Sequence, residues 1–150
     1  MCKVFLSSLP YKFTNHPDTQ HIFSTIGEWL TGTTGAGIGG AFSSYGAYIV
    51  GSFELITAVI LLLPALVWLL SLVGGSGTRG VRAKFHCIGG ALAAMVMAGA
   101  IFFHLFTPLG VEVLHEGKSD GGSLFFAAVS IFVCGIIMFF MNSRFTDGKN

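Results

Sequence analysis

The side chain most able to do chemistry in this sequence is Glu54, because it interrupts a stretch that is otherwise built for hydrocarbon. From Ala47 to Leu70 only Ser52, Glu54 and Thr57 break the apolar run. A carboxyl inside a membrane span costs on the order of 2.5 to 3.5 kcal/mol by insertion scales, so Glu54 is expected to face other protein and either to have a partner or to be neutral. His104 is the expected partner. It lies one turn before Thr107 and Pro108, at about the depth that Glu54 has below the interfacial Tyr48. A Glu and a His there could exchange protons with a ligand. The alternative is a neutral Glu54 hydrogen-bonded to a backbone carbonyl or to a Ser or Thr of another helix.

Two further patterns invite chemistry. His86 and His104 lie five helical turns apart and share a helix face, but haem ligation would need axial partners from a second span, and no other span carries a His. Glu112, His115 and Glu116 have the i, i+3, i+4 spacing of a carboxylate and histidine metal face, to which His16 or His21 could add. No Ser/His/Asp or Cys/His set has a common location, so the chain is expected not to be catalytic on its own. Gly35-x-Gly37-x-x-Gly40 matches a dinucleotide fingerprint by letter only, since no strand precedes it.

The elements that position these residues follow from composition. The chain has 150 residues, 53% hydrophobic and 10% charged, with mean hydropathy +0.76. That balance excludes an ordinary soluble domain. The expected fold is an all-α polytopic membrane helix bundle forming one domain over 1–150. Residues 1–13 read as a partial first span, too short at about 20 Å to cross the hydrocarbon. Either the start lies further upstream or a shortened span packs on its neighbours. Residues 15–31 read as an amphipathic helix capped by Asn15, with Ile22, Phe23, Ile26, Trp29 and Leu30 on one face laid on the membrane surface. Full spans are expected over 45–72, 84–106 and 123–142. Gly32 to Gly40 reads as a breaker-rich connection leading to a cap at Ser44. Gly90, Ala94 and Ala98 make a smooth stripe on which another helix can pack.

Charge sets the orientation. Arg79, Arg82 and Lys84 fall in one connection, and Lys3, Arg144 and Lys149 share that side if spans alternate. The positive-inside rule makes this side, with both termini, cytoplasmic. Asp18, Glu28, Glu112, Glu116, Asp120, His16, His21 and His115 collect on the other face. No Lys/Arg block marks a nucleic-acid partner. The three cysteines make no disulfide framework.

Three blocks carry a resemblance: Lys12 to Leu30 (KFTNHPDTQHIFSTIGEWL), Gly51 to Pro64 (GSFELITAVILLLP) and Met97 to Gly110 (MAGAIFFHLFTPLG). Together they resemble the DoxX-like family of small bacterial membrane proteins, although a complete first span is missing before Leu6 and Gly32 to Phe42 lengthens the outer connection. The resemblance implies a four-helix bundle of the bacterial inner membrane, acting as an accessory subunit of a quinone-linked or respiratory complex, with other membrane subunits or a second copy as partners. It singles out Lys12, His16, Glu54 and His104 as residues around a quinone head group. A small proton-coupled transporter using Glu54 and His104 is the competing expectation.

Overall fold

The computed structural model describes residues 1–74 and 79–145. It is an all-α bundle of five helices: α1 (Cys2–Phe13), α2 (Pro17–Thr34), α3 (Ala36–Gly74), α4 (Arg79–Phe106) and α5 (Ser123–Ser143). Among the described residues the sheet content is one hairpin of β1 (Leu114–His115) and β2 (Lys118–Ser119), paired antiparallel with Leu114 opposite Ser119. Three of the helices, α3, α4 and α5, are long and apolar enough to cross a membrane. At 12 residues α1 is not.

Short α1 lies antiparallel along α3. Cys2 Sγ reaches toward the carbonyl of Ala58 at 4.0 Å, and the other end of α1 puts Lys12 and Phe13 against Gly51. Lys3 therefore sits near the level of Ala58, about 24 Å short of the far end of α3 at 1.5 Å per residue. It does not join Arg79, Arg82 and Lys84, contrary to the expectation from alternation. Lys149 and the middle of the Gly74 to Gly80 connection lie outside the described residues.

The glycine-rich segment corrects the sequence reading most. Gly32 to Gly40 is helical apart from Gly35, so α2 and α3 form a tight helical hairpin, and Ser44 lies inside α3 rather than at its start. The physical reason is close approach. A Cβ on Gly39 would strike the backbone of Gly27 and Thr31, and one on Gly27 would lie 2.7 Å from the Gly39 carbonyl oxygen. Glycine is selected here for interhelical contact, at a cost in propensity of roughly 1 kcal/mol per residue. Gly35 alone has a positive φ, 107°, and makes the turn.

The hairpin also changes the fate of the amphipathic face. Ile26 packs with Leu109 and Val113, with Ile22, Leu30, Phe42 and Phe103 around them, so protein covers the apolar face of α2 that was expected to lie on lipid. At its start, Asn15 takes a left-handed conformation (φ 58°) and His16 is the cap, its Nδ1 accepting the Asp18 amide at 3.4 Å.

A second close crossing joins α4 to α5. Cβ atoms at Gly90 or Gly135 would each lie 2.7 Å from the other's carbonyl oxygen, and Gly135 also faces Ala94. The small-residue stripe is thus occupied, at Gly90 and Ala94, by the chain's own last helix. The main core lies between these pairs, where Phe5 of α1 meets Ala58 and Leu61 of α3, Ala93 and Met97 of α4, and Ala128 and Ile131 of α5.

Candidate functional site

Phe5, Ser8 and Lys12 recur at helical spacing and so share one face of α1. Phe5 anchors that face in the core, and Ser8 and Lys12 are carried to Glu54 of α3. Lys12 Nζ lies 2.9 Å from Glu54 Oε2, and the Ser8 hydroxyl is 2.6 Å from the same oxygen. The partner of Glu54 is therefore Lys12, with Ser8, and not His104 as the sequence suggested. Glu54 is 5% exposed, so its charge is compensated in place. Gly51, one turn before it, admits the aliphatic stem of Lys12: a Cβ there would sit 3.3 Å from Lys12 Cβ.

His104 is also buried, at 7% exposure, near the end of α4. Its Nδ1 lies 2.6 Å from the Gly110 carbonyl oxygen. A carbonyl only accepts, so Nδ1 is the donor and Nε2 is the nitrogen left for another partner. The ring of Phe125 on α5 fixes it edge-on at 5.7 Å. Gly110, with φ 72°, turns the chain just past α4 so that its carbonyl can reach back to the imidazole.

Although Glu54 and His104 do not pair, both line one cavity of about 650 Å³, together with Lys12 and Ser8. Its remaining walls are mostly apolar and come from all five helices, including Phe53 of α3, Val96, Ala100 and Phe103 of α4, and Ala127 and Ile131 of α5. A cavity of this size with few convergent polar groups is the usual form of a small-molecule site. It offers an ammonium and a hydroxyl at a carboxylate on one wall and an oriented imidazole on another.

His16, the fourth residue singled out by resemblance, is not among the lining residues. It belongs to a polar cluster outside, where Asp18 Oδ1 lies 2.7 Å from His115 Nδ1, Asp18 Oδ2 lies 3.4 Å from His16 Nδ1, and the His21 and His115 rings stack at 4.7 Å. Asp18 itself touches the cavity.

The structure does not gather Glu112, His115 and Glu116 into a ligand set. Among the described residues no three His, Cys, Asp or Glu side chains are placed to hold a metal ion. The spacing argument presumes a helix, whereas these residues occupy the β1–β2 hairpin. There Glu112 accepts the Ser119 hydroxyl at 2.8 Å, and Glu116 takes the left-handed turn position with φ 50°. Asp120, which sequence reasoning placed only as a surface acid, organises that hairpin. Its carboxylate accepts the amides of Val113, Gly122 and Leu124 at 2.8 to 3.0 Å and the Ser123 hydroxyl at 3.3 Å. Burial works to raise its pKa, but these hydrogen bonds outweigh it and hold Asp120 below the ordinary carboxylate value.

Compared with known protein families, curated proteins and solved structures, the chain matches none.

Proposed function

We propose that this protein is a membrane-embedded accessory subunit that binds the head group of a quinone, as its resemblance to the DoxX-like proteins implies, in the bacterial inner membrane. The observation that carries the reading is that Lys12, Ser8 and Glu54, joined to one another, line the same cavity as His104. A 1,4-quinone presents two carbonyl acceptors across a ring, and its reduced form presents two donors. Lys12 can donate to an oxygen of either form, while His104 Nε2, an acceptor in this tautomer, pairs only with a hydroxyl of the reduced form, so the reduced head group is the better complement. Fixed placement of Lys12 on Glu54 favours binding over the alternating proton traffic that a transporter needs.

The test is purification from native membranes in mild detergent, followed by extraction and mass spectrometry of bound quinone and of co-purifying subunits. Stoichiometric quinone is expected, with loss of more than about tenfold in His104→Gln and in the charge-free pair Lys12→Met with Glu54→Leu, which removes the polar wall without leaving a lone buried charge. A folded wild-type protein free of quinone, and unable to take it up when quinone is added back, would overturn the reading.

A further inference from the structure

We propose that the cavity is filled sideways from the bilayer, through the seam between α1 and α5, so that its ligand is an amphiphile whose apolar tail stays in the lipid while the head reaches Lys12, Glu54 and His104. The inference rests on the head-group site described above and adds the route and the class of molecule. Three observations combine.

The outer end of the cavity is roofed in part, with the lining residue Asp18 left exposed over 61% of its side chain. Ile26, Leu109 and Val113 pack together there, each less than 8% exposed, and Ile26 and Leu109 are themselves lining residues. Its floor is the main core around Phe5 and Ile131. One side wall, by contrast, is open. Val4 and Tyr11 of α1 and Leu124 of α5 line the cavity yet are 42%, 52% and 46% exposed, which places them at a mouth rather than in an interior.

The third observation is the pattern of helix contacts. Extended packing joins α1 to α3, α3 to α4 and α4 to α5, but not α1 to α5. The α3/α4 side also has exposed lining residues, Phe53 and Met95, but those helices touch on both sides of them, at Phe42 with Phe103 and at Leu61 with Gly89. Across the α1/α5 seam the packed residues are those of the floor, Phe5 with Ala128 and Ile131. The exposed edge at Asp18 offers a tailless polar head a way in, whereas the apolar mouth at Val4 and Leu124 gives a tail a place along the seam. Burial of each methylene of the tail along Val4 and Leu124 then adds to affinity.

The experiment compares two probes in lipid nanodiscs, a dimethoxy-methyl-benzoquinone without a tail and the same head group with a ten-carbon tail. Binding is read by quenching of tryptophan fluorescence, checked by equilibrium dialysis. Ala127→Trp and Ser7→Trp fill the seam from its two sides, at positions only partly buried or exposed. Gly99→Trp, where a Cβ meets nothing within 4 Å, fills the α3/α4 side. The expected result is a wild type that prefers the tailed probe at least tenfold, a preference that either seam variant abolishes and Gly99→Trp leaves intact. Loss of the preference in Gly99→Trp alone would overturn the route. So would binding of both probes unaffected by any variant, although the head-group site would then stand. A wild type that binds neither probe would overturn the head-group reading and the route with it.

Discussion

At the scale of single residues, the decisive fact is that the one carboxylate in a membrane-capable helix is answered by an ammonium from a helix too short to span. Lys12 and Glu54 are both largely buried, at side-chain exposures of 16% and 7%. Removing one charge strands the other, and for a buried pair that costs on the order of 3 to 5 kcal/mol, while removing both is often nearly neutral. Lys12→Met and Glu54→Leu are each expected to lower the unfolding midpoint in detergent steeply, and the double variant to recover most of the loss. Thermal unfolding of the four proteins forms the cycle that measures the coupling. If the single variants melt like the wild type, the pair is not a buried ion pair in the membrane. Glu54 was legible in the sequence because an acid in an apolar run has no bland explanation. Its partner was less so, because the pairing depends on α1 lying antiparallel to α3. The available signal was the single face shared by Phe5, Ser8 and Lys12.

Asp120 supplies the pH dependence at the same scale. Its folded pKa lies below the unfolded one, so the stabilisation is fully present above the ordinary carboxylate value and is lost as pH falls through the folded value. The unfolding midpoint is therefore expected to drop on acidification from about pH 4 downward. Asp120→Asn should start lower and change less over that range, because an amide side chain has no charge to lose. A wild type and a variant with parallel pH profiles would show that Asp120 does not hold the hairpin to α5.

At the scale of elements, the three long helices were legible because their length and apolarity leave no other solvent. The α2–α3 hairpin was not, because glycine has two opposite uses and the sequence does not say which applies. Gly37 and Gly40 have nothing within 4 Å of a Cβ position, whereas Gly39 faces the backbone of α2. In a helix, Gly37→Ala and Gly40→Ala should each stabilise by about 0.5 to 1 kcal/mol through propensity alone. Gly39→Ala should destabilise by about 1 to 3 kcal/mol through overpacking. Circular dichroism of the three variants on heating separates this pattern from that of a flexible connection, in which all three would melt alike. The same reasoning explains why the Gly90 stripe was legible as a packing surface but not as the seat of α5. Periodicity marks a smooth face without naming what covers it.

At the scale of the whole molecule, topology and charge make one joint statement. The antiparallel order of α1, α3, α4 and α5 puts Lys12, the β1–β2 hairpin and the start of α5 at one end of the bundle, and Arg79, Arg82, Lys84 and Arg144 at the other. Placing Lys3 at the level of Ala58 removes it from that count but leaves the asymmetry. The positive-inside rule predicts that the arginine end faces the cytoplasm, a proposal that labelling tests. Orientation can be read from two exposed positions that flank α5, Glu116 in the hairpin and Phe145 beyond the helix. With Cys2, Cys87 and Cys134 replaced by serine, Glu116→Cys is expected to react with a membrane-impermeant maleimide in sealed spheroplasts, and Phe145→Cys only after permeabilisation. Reversed labelling would turn the bundle over and put Lys12 and Glu54 in the inner leaflet, where a quinone would be met from the cytoplasmic half of the membrane. Labelling of both in sealed spheroplasts would mean that α5 does not cross, and the seam that it forms with α1 would then open on water instead of lipid.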